Sequence, residues 1–288
     1  MRGHTRFAGA VTGLIAAACL LAFAAPSAHA SPTQTASAPK GVVAYGAELE
    51  NATTGAVLWS HNPQVERPMG SVTKVMTAYV VIEAGDLSRP ITVPEGIKGY
   101  DVGASTAGLG VGERLSELQL LYALLLPSGC DAAYTLATGY KGGRAAFIKE
   151  MNATAKKLGL TRTHFTDFSG LPIPTETSTY STPRDLLVLG RDAMKLAVFR
   201  QIVATKTYYL AADRWHDPHT WTNLNDLLWS YSGAIGVKTG QTATAGACLL
   251  FEAERGKKTL IGVVLHSANS LSTAFSDATK ILNWGFSS

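Results

Sequence analysis

With 288 residues, 46% of them hydrophobic and 16% charged, the chain has material for one large domain or two interleaved lobes. Its formal charge of +4 is too weakly basic to argue for a nucleic-acid partner. Three cysteines are too few for a disulfide framework, and no Cys/His cluster has metal-ligand spacing, so neither metal nor cofactor is expected.

Residues 1–30 read as a signal peptide. Arg2, His4 and Arg6 precede a run that is almost wholly apolar or small, and Ala28-His29-Ala30 offers a small-x-small cleavage site. An uncleaved anchor fits less well, because the apolar core is short, rich in Ala and ends in Pro26-Ser27. Cys19 is a poor lipid-attachment site, since Ala16 stands where a large aliphatic belongs. Cleavage would remove two arginines, leave 258 residues at +2, and leave no further stretch able to span a bilayer. The product is therefore expected outside the cell, at the wall or the outer face of the cytoplasmic membrane. Residues 31–40 form a polar, Pro-containing lead-in, and residues 41–288 are expected to form the working domain.

VVAYGAELE and AVLWSHN, joined by NATTG, predict a β-hairpin. Ser71 opens a helical run that stops at Gly85, and a Gly-rich irregular stretch follows to about residue 115. Ser116 and Gln119 form a capping box before LLYALLL. Pro127 ends that helix, and Ser128 is read as the cap of the next, with Asp131 three residues on. FIKEMNATAKKLGL predicts an amphipathic helix closed by Gly159, and Thr182-Pro183-Arg184-Asp185 starts another. His216 and His219 in WHDPH bracket a loop with a proline turn. SGAIGVKTGQT, AGACLLFEAER and KTLIGVVLHS read as strands, with Gly256 at a hairpin tip, before a closing helix FSDATKILNWGF. Strands at both ends of a helical middle predict an α+β fold. An antiparallel sheet would be built from both chain ends and flanked by helices, with an all-helical lobe inserted at about residues 100–200.

A serine hydroxyl is a poor nucleophile without a neighbouring base, and no GxSxG elbow frames any serine here. Ser71-x-x-Lys74 places a hydroxyl and an amine one helical turn apart, although alone the pair reads first as a cap and a solvated lysine. Ser128-Gly129-Cys130 lies in a tight connection between apolar helices. Lys238-Thr239-Gly240 offers a cation, a hydroxyl and a position without a side chain inside a strand. The ordered combination of the three is far less accidental than any one of them.

These motifs resemble S-x-x-K, S-x-N and K-T-G of the penicillin-recognising serine enzymes. Within them the chain is similar to the serine-type D-alanyl-D-alanine carboxypeptidases and transpeptidases, the low-molecular-mass penicillin-binding proteins. The likeness runs over residues 41–286 through GSVTKVMTA, LLYALLLPSGCDAA, THFTDFSGL, YSTPRDL, GVKTGQT and ILNWGF. It implies that Ser71 attacks the penultimate D-alanine carbonyl of a peptidoglycan stem peptide, that Lys74 takes its proton, and that Ser128 relays that proton to the leaving amine. It implies further that Lys238, Thr239 and Gly240 receive the substrate, and that the amides of Ser71 and Gln241 form the oxyanion hole. β-Lactam antibiotics would acylate the same serine. The protein is expected as a monomer associated peripherally with membrane or wall, with no nucleic-acid partner.

Cys130 departs from the pattern, because asparagine stands there in S-x-N; a thiol donates and accepts only weakly, which puts substrate positioning in doubt. It could instead serve as a second nucleophile, but a cysteine before an apolar helix is more often inert. Whether Cys130 pairs with Cys248 is open from sequence. A β-lactamase of the same fold is the first alternative. It lacks support, because no E-x-x-L-N segment lies between SGC and KTG and the surroundings of Glu176 do not match. A non-catalytic penicillin- or peptidoglycan-binding module is the second, and the presence of both Ser71 and Lys74 speaks against it.

Overall fold

A computed structural model describes residues 38–100 and 103–288. The signal peptide read at residues 1–30 lies outside the described residues, as does most of the lead-in.

The chain enters through a hairpin, β1 (Gly46–Asn51) and β2 (Val57–His61), turned by the Asn51 side chain, which accepts from the amides of Thr53 and Thr54. A 3-10 turn (Gly70–Thr73) runs directly into α1 (Lys74–Ala84), which stops at Gly85 with φ +98°. β3 (Pro90–Thr92) and β4 (Arg114–Ser116) pair across the short α2 (Ile97–Tyr100). Ser116 and Gln119 close the capping box of α3 (Glu117–Leu125) reciprocally, at 3.2 and 2.7 Å. α4 (Cys130–Gly139) and α5 (Gly143–Lys157) follow. Thr182 then caps α6 (Pro183–Lys195) through the Asp185 amide, with proline at the first helical position.

The next segment contains three elements that the sequence reading did not resolve: α7 (Ala197–Ala204) and the paired strands β5 (Thr207–Leu210) and β6 (His219–Thr222). α8 (Leu227–Ser230) leads into β7 (Ala234–Thr242), β8 (Gly246–Arg255) and β9 (Lys258–Leu265), and α9 (Leu271–Ser287) completes the described chain.

The main sheet has the order β2-β1-β9-β8-β7, every neighbour antiparallel, so that β1 from one end of the chain is held between its own hairpin partner and β9 from the other. On one face Leu49, Phe251 and Leu260 pack with Ile281 and Leu282 of α9. On the other, Leu250, Ile261 and Val263 share a core with α1, α6 and α7. Because both faces are covered, β8 and β9 read as nearly continuous apolar runs and not as alternating ones.

One buried acid on that second face has a measurable consequence. Glu252 of β8 is 5% exposed, and burial pushes its carboxyl up to about 7, against the opposing attraction of Arg200. A carboxyl raised in this way favours the fold in its protonated form. The benefit is complete below the unfolded value near 4.5 and is lost as pH rises through about 7. Glu252→Gln is therefore expected to gain stability over the parent at pH 8, by about 3 kcal/mol, and little at pH 4. Thermal melts of both proteins at the two pH values check this, and an equal difference at both would contradict it.

Candidate active site

The Ser71 and Lys74 side chains meet because of the turn that carries them. The sequence reading placed Ser71 as the opening residue, and possible cap, of an α-helix. Instead Ser71 lies inside the 3-10 turn and makes no capping hydrogen bond, and α1 begins at Lys74. At three residues per turn, positions i and i+3 eclipse, so the serine sits directly over the lysine. The Lys74 amine is 2.8 Å from Ser71 Oγ, 2.8 Å from the Ser169 carbonyl oxygen and 3.4 Å from Cys130 Sγ. Lys74 is wholly enclosed, and Ser71 is half-buried. A solvated surface lysine is ruled out.

Ser128 also differs from its expected role. It does not cap α4: Gly129 occupies that position, with no side-chain capping bond. Asp131 is engaged elsewhere, accepting from the amides of Ala107 and Leu109 and so pinning the segment before α3 beside the site. The Cys130 amide donates to the Ser105 carbonyl in the same segment. Ser128 itself has φ +64°, unusual for a residue with a side chain, and its Oγ is buried without a hydrogen-bond partner. Each of these costs on the order of 1–3 kcal/mol, and such costs concentrate where a side chain is held for chemistry.

The third motif lies on β7, whose outer edge faces the 3-10 turn. Gly240 must be a glycine here: a Cβ would stand 2.4 Å from the Met69 carbonyl oxygen and 3.0 Å from the Ser71 nitrogen. A Cβ at Gly70, which has φ +54°, would stand 2.8 Å from the Gln241 nitrogen. The backbone contact made by these two glycines brings the Ser71 and Gln241 amides together. Lys238 is 2% exposed and donates to the carbonyl and hydroxyl oxygens of Thr239 at 3.2 and 3.4 Å. Burial, then the charge of Lys74, holds its amine well below the ordinary lysine range. That coupling places the K-T-G strand within electrostatic reach of the first motif. A carboxylate arriving at Lys238 would restore its charge.

Cys130 and Cys248 carry free, buried thiols, and burial pushes that of Cys248 up to about 11. Glu176 is exposed and accepts from Thr244 Oγ1 at 2.6 Å. His216 contacts its neighbour's carbonyl, and His219 pairs with Glu113; no group of ligands able to hold a metal occurs among the described residues. Sequence reasoning missed the Ser169 carbonyl. The signal available was Asp167-x-Ser169-Gly170, a pattern suited to a turn closed by the aspartate side chain.

Comparisons with known proteins point to one family. A family model for D-alanyl-D-alanine carboxypeptidases matches residues 33–269. Over 277 residues the chain is 43% identical to a D-alanyl-D-alanine carboxypeptidase of Streptomyces sp. strain K15, spanning 91% of this chain and 94% of that one. It is 35% identical to a D-alanyl-D-alanine carboxypeptidase of Mycobacterium tuberculosis, spanning 81% and 79%. The crystal structure of the Streptomyces K15 DD-transpeptidase superposes with a TM-score of 0.80 at 45% identity, covering 86% of this chain and 98% of that chain. A penicillin-binding protein homologue from Mycobacterium tuberculosis superposes with a TM-score of 0.79 at 33% identity, covering 86% and 95%.

Proposed function

The chain belongs to the D-alanyl-D-alanine carboxypeptidase family and is a serine-type DD-peptidase, and from that premise we propose the part each residue plays. Ser71 is the nucleophile. Its hydroxyl proton passes to Lys74 as Oγ bonds the carbonyl carbon of the penultimate D-alanine, and the carbonyl electron pair moves to an oxygen received by the Ser71 and Gln241 amides. Ser128 carries the proton on to the departing D-alanine amine, leaving an acyl-enzyme. Water then releases the acyl group as a carboxylic acid, or an amino acceptor takes it in transfer. Lys238 with Thr239 holds the terminal carboxylate, and Gly240 leaves room for an extended ligand beside β7.

The observation that carries this reading is the 2.8 Å contact between Lys74 and Ser71, a hydroxyl and an enclosed amine at proton-transfer distance. Peptidoglycan stem peptides are the substrates and β-lactams the covalent inhibitors that such a site accepts. We further propose export and action at the wall; among the described residues no helix is long and apolar enough to cross a membrane. The reading is tested by treating the protein with penicillin and mapping the adduct by mass spectrometry. A single equivalent on Ser71 is expected, and an adduct elsewhere would refute the assignment. Supplying a diacyl-D-Ala-D-Ala donor with glycine or a D-amino acid, and comparing hydrolysis with aminolysis products, then gives the balance between the two outcomes.

Lys238→Ala is expected to weaken capture of donors with a free terminal carboxylate by roughly thirtyfold, while amidated donors change little, because the variant removes the counter-charge. Matched kinetics on the two donor types check it, and equal losses on both would remove the assigned role.

A further inference from the structure

The three neighbours of the Lys74 amine are not equivalent. A neutral amine has two N–H groups and one lone pair. The Ser169 carbonyl can only accept, so it must take an N–H at 2.8 Å, and the Cys130 sulfur at 3.4 Å takes the other weakly. When the amine, which as an ammonium donates to Ser71 Oγ across 2.8 Å, is in its base form, the lone pair is left to that same oxygen, the orientation needed to receive the hydroxyl proton. Without the carbonyl, the amine could turn about its last bond and point the lone pair away.

A backbone carbonyl cannot aim itself, and here its direction is set by a buried acid. Asp167 is 2% exposed, and its Oδ1 accepts from the amides of Ser169, Gly170 and Leu171 at 2.7, 2.7 and 3.0 Å and from the Ser169 hydroxyl at 2.7 Å. Its Oδ2 accepts from the Tyr100 hydroxyl, which also lies 2.8 Å from Ser169 Oγ. Burial and the adjacent Asp167 carboxylate push the Tyr100 phenol far above its ordinary range, so it stays a donor. The Phe168 carbonyl between them is held by the hydroxyl of Thr77, three residues beyond Lys74, at 2.5 Å. Gly170, at φ +85°, lies so close to the nucleophile's turn that a Cβ there would stand 2.0 Å from the Gly70 carbonyl oxygen.

We infer that Asp167, braced by Tyr100, is a positioning residue for acylation: it fixes the Ser169 carbonyl and thereby the direction in which Lys74 presents its lone pair to Ser71. The inference rests on Lys74 being the base of Ser71, and its test separates the two. Penicillin acylation is resolved into the dissociation constant of the complex before bond formation and the limiting rate constant of acylation. Asp167→Ala should lower the limiting constant by about ten- to a hundredfold, the cost of an ångström-scale misplacement, with the dissociation constant unchanged and every molecule finally labelled. Asp167→Asn keeps an acceptor oxygen for the turn and should recover to within a few-fold of the parent. Tyr100→Phe removes only the brace and should lower the limiting constant by about fivefold, the worth of one hydrogen bond.

A purely structural role would instead reduce the fraction of molecules labelled. That outcome overturns the inference, as would a parental limiting constant in Asp167→Ala, or Asp167→Asn as slow as Asp167→Ala. If Asp167→Ala does not fold, Tyr100→Phe decides, and a parental limiting constant there also overturns it. If the parent protein is not acylated on Ser71, the nucleophile assignment itself fails and the inference falls with it.

Discussion

Ser71→Ala is expected to take up no penicillin at all and to melt within about 1 kcal/mol of the parent. The complete loss follows from the absence of a substitute. Ser128 Oγ has no hydrogen-bond partner that could serve as its base, and Cys130 is 2% exposed with its thiol 3.4 Å from the Lys74 amine, so neither is an activated nucleophile in the place of Ser71 Oγ. The small stability change follows from the geometry of the turn. A serine that caps a helix contributes roughly 1 kcal/mol, but the Ser71 side chain makes no capping bond, and its hydroxyl is engaged by the Lys74 amine instead. Intact-mass measurement after penicillin treatment, beside a thermal melt, gives both numbers. An adduct on the variant, or a melt several kcal/mol lower, would mean that the serine has another task.

Lys74→Met is expected to slow acylation by about 10³- to 10⁴-fold while keeping the hydroxyl in place, the range associated with removing a positioned general base. Methionine matches the length of the lysine stem, and Lys74 is entirely enclosed, so the replacement exchanges a buried amine for an apolar tip. The melting temperature should hold or rise. A second signature accompanies the first. The charge of Lys74 is one of the influences holding Lys238 below its ordinary range, so in the variant Lys238 should titrate closer to an ordinary lysine. Capture of carboxylate-bearing donors would then persist to higher pH. An acylation rate within tenfold of the parent would assign the base elsewhere.

The features legible in the sequence were those whose cause is local. The capping box at Ser116 and Gln119, Pro183 behind Thr182, and the Gly256 hairpin tip are each set by a few adjacent residues, and each is found in place. The α+β arrangement was legible because strand-like runs stand at both ends of a helical middle. Less legible were features fixed by distant partners. The strands β5 and β6 are four residues each, and Tyr208 stacks both on Trp221, its cross-strand partner, and on Tyr122 of α3, far away in sequence. Ser128 and Asp131 have the spacing of a cap, yet the acid is claimed by Ala107 and Leu109, and the serine adopts a positive φ that no local pattern predicts. The Ser169 carbonyl is a main-chain acceptor, which no side-chain motif can announce.

The placement of β1 between β2 and β9 ties the beginning of the domain to a partner more than 200 residues later. A ribosome must therefore finish nearly the whole polypeptide before the central ladder can zip, and topology of this kind makes for late, slow folding. A nascent chain stopped short of residue 258 would have no docking strand for β1 and would bare the side of β8 as well, leaving two sticky margins open to other copies.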